Sequence, residues 1–557
     1  MSKRIRAGAA ALSLAVLLAD VTKAADDRPN IVFMLVDNFG YGDLGVYGGG
    51  ELRGVPTPRL DRFAAEGLRL TNFNVEPECT PSRSALMTGR MPVRSGTSAV
   101  SIMGGPEGIA PWEYTLAELL SDAGYVSAHY GKWHLGNVAG RFPTDQGFDE
   151  WWGFARSSNA PLRVLQPGHD PELAPQDAIW EGKRGEESRR VGVYDLAMRR
   201  RMDSEVTARG VAYIERHAGG DKPFFLYLPY SQPHSPPLPH PDFDRPGKSD
   251  YQNVLAEIDH NAGRILDAID AAGIADNTLV IWASDNGPET MQGIGIQYGA
   301  QSDTGPFRGE FPSAWEGAIR VPAMLRWPGR IQPGRVSNEI VSILDFYRSM
   351  AEMVGAEDRI PADRPIDSID LSGFLFDNEP KSKREHVMFF HDGELLAIKW
   401  RNYKSHLAVR VPATGAVVSA GQGVLTSYHQ KLGMPMIFDL ENDPKELWNI
   451  NAPNQWLGDV AGKIVRDDIM STQQHPNMAP GADAPRPLSV CCRRGPTDPP
   501  AIQAAPPRSR RTVAGSWPNP RGSIRQFPAS GGRAQACSAP GWRQPPRAAA
   551  PGSCVPW

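Results

Sequence analysis

Cys79 is followed by Thr80, Pro81, Ser82 and Arg83. Thr80 is a good helix N-cap, proline suits the first helical position because its missing N–H has no partner there anyway, and Gly89 can end the helix after residues 84–88. This pattern predicts Cys79 at the positive end of a short helix. Backbone N–H groups and the helix dipole favour an anion such as sulfate or phosphate there, and Arg83 adds a fixed cationic fork. The chemistry that fits is attack on an oxyanion ester. A lone cysteine also reads as a small buried hydrophobe, so its neighbours in space decide between the two.

Four further polar clusters are candidates for that neighbourhood: Asp37 with Asn38, Lys132 with His134, His234, and Asp285 with Asn286. Asp37, Asn38, Asp285 and Asn286 offer only hard oxygen donors, which suits Ca2+, ahead of Mg2+, rather than Zn2+. One Asp-Asn pair also reads as a turn or a helix cap; two such pairs, each at a predicted strand end, favour the metal. Beside a cation such as Lys132, one of the two imidazoles can shuttle a proton and the other can hold an anionic oxygen.

Each cluster lies just past the end of an apolar, β-branched or aromatic run. Residues 31–36, 125–130, 224–230 and 279–284 read as strands, with a fifth at 322–327, and they alternate with amphipathic stretches. One such stretch, 250–272, carries Val254, Ile258, Ala262, Ile265, Leu266 and Ile269 at helical spacing and stops at Gly273. The alternation predicts an α/β domain over 25–375, a mostly parallel central sheet sandwiched by helices. In such a sheet ligands bind at the carboxyl ends of the strands, so all four clusters are expected at one edge. Short alternating runs at 387–390, 395–400 and 436–438 predict a smaller antiparallel sheet with a covering helix over 376–485.

The 557 residues are 41% hydrophobic, enough for a large core, and a net charge of −4 gives no bulk reason to expect nucleic acid as a partner. Cys79 is the only cysteine before Cys491, so the fold rests on its core rather than on disulfides. Lys3, Arg4 and Arg6 precede an apolar run over 7–18 and small residues near Ala24, which predicts a secretory signal over 1–24 rather than a membrane anchor. No later segment is apolar enough to span a membrane, and the chain lacks an Asn-x-Ser/Thr acceptor, so a periplasmic or secreted protein is expected. Residues 486–557 carry eleven Arg against one Asp and few periodic apolar residues, and read as a disordered tail rich in Arg and Pro.

Taken together, the chain resembles the sulfatase family, arylsulfatase type, within the alkaline phosphatase superfamily, over about residues 28–485. The resemblance is carried by Pro29, Asn30, Ile31 and Val32 running into Asp37 and then Gly40, Tyr41, Gly42, Asp43, Leu44 and Gly45. Cys79 to Arg83 with Leu86, Thr88, Gly89 and Arg90 also carries it, as does the run Gly131, Lys132, Trp133, His134, Leu135, Gly136. Pro233 with His234, Asp285 to Gly287, Trp315 to Gly317, and Arg320, Val321, Pro322 complete it. The resemblance implies an alkaline phosphatase-like fold and a Cys79 oxidised after translation to formylglycine (3-oxoalanine) by a separate maturation enzyme. It implies metal ligation by Asp37, Asn38, the modified Cys79, Asp285 and Asn286. It further implies that Arg83 and Lys132 orient the aldehyde hydrate, that His234 or Asp285 protonates the leaving group, that His134 is the base releasing sulfate, and that Lys132 and His234 hold the substrate.

Two positions depart from the family pattern. Asn38 stands where a second aspartate is common, which removes one negative charge from the site. The sulfate-binding lysine that often precedes Trp315 is missing from Gly309, Glu310, Phe311, Pro312, Ser313 and Ala314, and Arg308 is the nearest substitute. The expected activity is hydrolysis of a small-molecule or carbohydrate sulfate ester. Hydrolysis of phosphonate monoesters or phosphodiesters on the same site, and a non-catalytic sulfate-ester binder with unmodified Cys79, are the alternatives.

Overall fold

The computed structural model describes residues 28–100, 108–289, 302–411 and 428–483. Eleven strands form one sheet: β1 Asn30–Asp37, β2 Leu68–Asn74, β3 Val126–Lys132, β4 Glu150–Phe154, β5 Ala178–Lys183, β6 Arg189–Val193, β7 Phe224–Pro233, β8 Thr278–Ser284, β9 Arg320–Arg326, β10 Arg335–Ser337 and β11 Val341–Ser342. Their order is β10-β2-β9-β8-β1-β7-β3-β4-β5-β6, with β11 paired to β2. Strands β8, β1, β7, β3 and β4 run parallel to one another, so the predicted mostly parallel, alkaline phosphatase-like core is present.

Strand β1 shows how the sequence builds this sheet. All its residues are buried, and alternate side chains leave on opposite faces: Ile31, Phe33 and Leu35 join one apolar cluster, Val32, Met34 and Val36 the other. Each such side chain contributes about 1.5–3 kcal/mol relative to exposure. The first face packs against Ala85, Leu86 and Met87 of helix Cys79–Thr88 and against Phe346, Tyr347 and Met350 of helix Asp345–Met353. Met202, Val206 and Ile214 of helix Leu196–His217 cover the second, with Val254, Ile258, Ile265 and Ile269 of helix Asp250–Ala271. The last helix matches its predicted span and starts at a capping box of Ser249 and Gln252.

Strand β9, predicted at 322–327, is antiparallel to both β2 and β8. Among the described residues between β8 and β9 the only helix is the short Glu316–Ile319. A parallel crossover needs an element long enough to carry the chain back along the sheet face, so β9 starts at the edge where β8 ends and runs back.

The second sheet is antiparallel, in the order β12 His386–His391, β13 Glu394–Trp400, β14 Tyr403–Val411, β15 Tyr428–Asp439. Helix Trp456–Gln474 comes after it and places Trp456 edge-on to Trp400. The predicted signal segment and basic tail lie outside the described residues. No described helix is long and apolar enough to cross a membrane.

One local expectation is corrected. Helix Cys79–Thr88 begins at Cys79, with Glu78 and not Thr80 in the N-cap position. Thr80 Oγ1 donates instead to the main-chain oxygen of His134 at 3.0 Å, so its hydroxyl ties the first turn of the helix to the loop after β3 rather than capping the helix. Gly89 ends the helix with φ 65°, a left-handed turn that glycine adopts without strain.

Candidate active site

Strands β8, β1, β7 and β3 are consecutive neighbours in the sheet, and their carboxyl ends deliver Asp285 with Asn286, Asp37 with Asn38, His234, and Lys132 with His134. Asp37 is the last residue of β1, Lys132 the last of β3, and His234 directly follows β7. Cys79 comes from outside the sheet, on the helix packed against its first face, and its buried thiol lies where ligand atoms of Asp37, Cys79 and His234 fall within 4.8 Å of one another. Residues spread over two hundred positions of sequence thus meet at one sheet edge, as the sequence predicted.

The cluster is held together by opposite charges. Lys132 Nζ donates to both Asp37 oxygens, at 2.9 and 2.8 Å. Arg83 Nε donates to Asp285 Oδ2 at 2.9 Å, its Nη2 lies 2.8 Å from the same oxygen, and its Nη1 donates to the main-chain oxygen of Lys132 at 2.9 Å. All four charged side chains are fully buried, where unpaired charges would be prohibitive and paired ones fix geometry. The main-chain N–H of Asn38, in the left-handed region at φ 62°, donates to Asp285 Oδ1 at 3.1 Å. Asn286 Nδ2 donates to Asn38 Oδ1 at 2.7 Å.

These surroundings set protonation. Burial opposes the charged form of Asp37, yet Lys132, with His234 and Arg83, holds its carboxyl far below the usual range. Burial and the nearby Asp37 charge push Asp285 up to about 6, with Arg83 opposing. Burial pushes the Cys79 thiol well above its usual range, so unmodified Cys79 is a neutral thiol, a poor nucleophile and a poor metal ligand. Burial, then the charges of Lys132 and Arg83, drive His134 well below its usual range and keep it neutral. Its Nδ1 is buried without a hydrogen-bond partner, and its backbone is left-handed at φ 60°, strain of the kind that gathers at functional sites.

The predicted metal ligands fit a hard divalent cation. Asn286 Oδ1 is a buried acceptor without a hydrogen-bond partner in a cluster that also holds two carboxylates, and Asp37, Asn38, Asp285 and Asn286 offer oxygen alone. His234 is brought closer to Asp37 and Cys79 than the sequence-derived ligand set anticipated.

Arg308 lies with its guanidinium 3.6 Å from the centre of the Trp315 ring. Its main-chain oxygen accepts from Gly317 N at 2.8 Å, while the neighbouring Ala318 oxygen accepts from Gly287 N at 2.7 Å. The residue thus borders the Asp285–Asn286 loop, with its cation stacked on an aromatic face.

Three polar residues of the site were not anticipated. Ser158 Oγ donates to Asp37 Oδ2 at 2.5 Å, and Ser157 Oγ lies 3.4 Å from His234 Nε2. Both lie just past β4, the parallel neighbour of β3, and the polar residues that succeed the aromatic run 150–154 are the sequence signal for them. Glu289 Oε1 lies 3.2 Å from His234 Nδ1; it is three residues past Asn286, on the loop after β8.

A family model described as Sulfatase matches residues 29–356, and one described as N-sulphoglucosamine sulphohydrolase, C-terminal, matches 312–461. The chain is 32% identical to dog (Canis lupus familiaris) N-acetylgalactosamine-6-sulfatase, covering 84% of this chain and 89% of that protein. It is also 32% identical to human (Homo sapiens) arylsulfatase A, covering 86% and 95% respectively. The solved structure of PsFucS1 sulfatase from Pseudoalteromonas sp. superposes with a TM-score of 0.74 at 31% identity, over 81% of this chain and 91% of that one.

Proposed function

The chain belongs to the sulfatase family and hydrolyses sulfate esters, and on that premise we propose that it does so through a formylglycine made from Cys79, with Ca2+ ahead of Mg2+ beside it. The observation that carries this reading is the meeting of Cys79 with Asp37 and His234 within 4.8 Å, beside Lys132, Arg83 and Asp285. As an unmodified neutral thiol, Cys79 has no means of releasing a bound sulfate. A hydrated aldehyde at that position supplies one hydroxyl to attack sulfur and a second to expel sulfate. A cation held by Asp37, Asn38, Asp285 and Asn286 supplies charge stabilisation to the attacking hydroxyl and the sulfuryl oxygens.

The chain's own residues do the rest. Lys132 is anchored on Asp37 and neutralises charge growing on the sulfuryl oxygens. Arg83, locked by Asp285 and the Lys132 carbonyl, orients position 79. His234 and Asp285 are the groups proposed to give a proton to the leaving oxygen. Neutral His134 takes the proton when sulfate leaves. With Lys132, His234 holds the substrate, and Arg308 is the candidate for the role of the missing lysine.

The substrate class is a small-molecule or carbohydrate sulfate ester, with a formylglycine-generating enzyme as maturation partner and export through the segment 1–24. Mass spectrometry of the Cys79 peptide, from enzyme co-produced with the maturation enzyme, tests the modification: conversion lowers the peptide mass, and an unmodified thiol in active enzyme refutes it. Turnover of 4-nitrophenyl sulfate against an aryl phosphonate tests the substrate class, and faster phosphonate cleavage overturns it.

A further inference from the structure

His234 is held at its backbone and at its ring by residues outside the reacting cluster. Its main-chain oxygen accepts from Arg199 Nη2 at 2.9 Å, and Arg199, buried in helix Leu196–His217, also donates to the Ser231 oxygen at 2.9 Å, to Ser231 Oγ at 2.8 Å and to Gln232 Oε1 at 3.1 Å. Asp203, one turn on, accepts from the main-chain N–H groups of Ser231 and Gln232 at 2.8 and 3.0 Å. This pair fixes the backbone that leads into His234.

The ring is fixed separately. Its Nδ1 faces two acceptors, the Ser235 oxygen at 2.8 Å and Glu289 Oε1 at 3.2 Å, and no donor. Nδ1 must therefore carry the hydrogen, which leaves Nε2 as the nitrogen for the site. Glu289 is itself placed by the Ser235 main-chain N–H, and its side chain is only 3% exposed. A buried carboxylate aimed at the distal nitrogen of an imidazole fixes its tautomer and stabilises its protonated form.

We propose that Glu289 is the positioning residue for leaving-group protonation: through Nδ1 it sets the ring so that Nε2 delivers a proton to the departing ester oxygen. As the bond between sulfur and that oxygen breaks, the oxygen's electron pair takes the proton from Nε2, and His234 ends neutral with its remaining hydrogen on Nδ1 against Glu289. This rests on the proposed reading of His234 as a proton donor.

The test uses a series of aryl sulfates from 4-nitrophenyl, whose phenolate leaves without help, to 4-methoxyphenyl, which needs a proton. For Glu289→Ala, kcat is expected to fall ~10–100-fold on the poor leaving group, the range seen when such an orienting partner is removed, with little change on 4-nitrophenyl sulfate or in KM. Glu289→Gln keeps a hydrogen-bonding oxygen but not the charge, and is expected to show a smaller loss of the same kind. It carries the comparison if circular dichroism shows the alanine variant unfolded. Equal losses across the series in a folded variant, or no loss at all, overturn the proposal. His234→Ala separates the two ideas: if it steepens the leaving-group dependence and the Glu289 variants do not, Glu289 is not the positioning residue. If His234→Ala does not steepen it either, His234 is not the donor.

Discussion

Cys79 sits as a neutral thiol in a site whose charges are already matched, Lys132 against Asp37 and Arg83 against Asp285. Replacing it by alanine removes one small buried side chain and no charge. Cys79→Ala is expected to abolish aryl sulfate hydrolysis while the thermal unfolding midpoint stays within a few degrees; substantial residual turnover would count against its role. Glu76, three residues earlier, gives a separate test of burial. Its carboxyl is pushed up to about 8, chiefly by burial and then by the Asp367 charge, and its Oε2 has no hydrogen-bond partner. The folded state thus holds a proton that the unfolded chain releases near its ordinary value of 4.5. Stability from this group is full below that value and is lost as pH rises towards 8. Glu76→Gln should therefore gain stability over the native protein between pH 5 and pH 8, by the order of a few kcal/mol, in denaturant titrations run across that window.

At the scale of elements, the second sheet is tied to the first by a buried ionic cluster. Lys399 of β13 donates to Glu316 Oε2 at 2.7 Å and to the side-chain oxygens of Asn72 and Asn74 of β2 at 2.7 and 2.9 Å. Lys404 of β14 donates to Glu316 Oε1 at 2.9 Å. Glu316 opens the short helix before β9, so these bonds also hold the stretch that carries Arg308 and Trp315 beside the Asp285 loop. Removing Lys399 leaves Lys404 and Arg320 still facing Glu316 but takes the donor from the buried Asn72 and Asn74 oxygens, at a cost of about 1–3 kcal/mol for a buried acceptor left unsatisfied. Lys399→Ala is expected to lower the unfolding midpoint by that measure, and an unchanged midpoint would show that the sheets are held by their apolar contacts alone.

For the whole molecule, the proposed metal would add its binding free energy to stability. A cation that binds only the folded state stabilises it by about 2.7 kcal/mol at ~100 times its dissociation constant. Chelation is therefore expected to lower the thermal midpoint and the aryl sulfatase rate together, and Ca2+ to restore both at lower concentration than Mg2+. A midpoint unmoved by chelator, in enzyme shown to be metal-loaded beforehand, would argue against the oxygen-ligand site.

The sequence alone determined the elements and the residue types of the site. The runs 31–36, 224–230 and 279–284 are apolar but for the closing Ser284 because both faces of the central strands are buried, and the ionisable residues Asp37, His234 and Asp285 come at or just past the carboxyl ends of the strands, where they are buried against one another. Such signals are local and survive in one dimension. Only the tertiary structure decided that β8, β1, β7 and β3 are neighbours, that β9 runs antiparallel, and which groups pair: Lys132 with Asp37, Thr80 with the His134 carbonyl, and Glu289 with His234. Asn38 and Asp285 touch across 247 positions of sequence. The physical reason is that a side chain's partner is set by how sheets and helices pack, and packing is satisfied by the whole chain at once, with no mark in the few residues on either side.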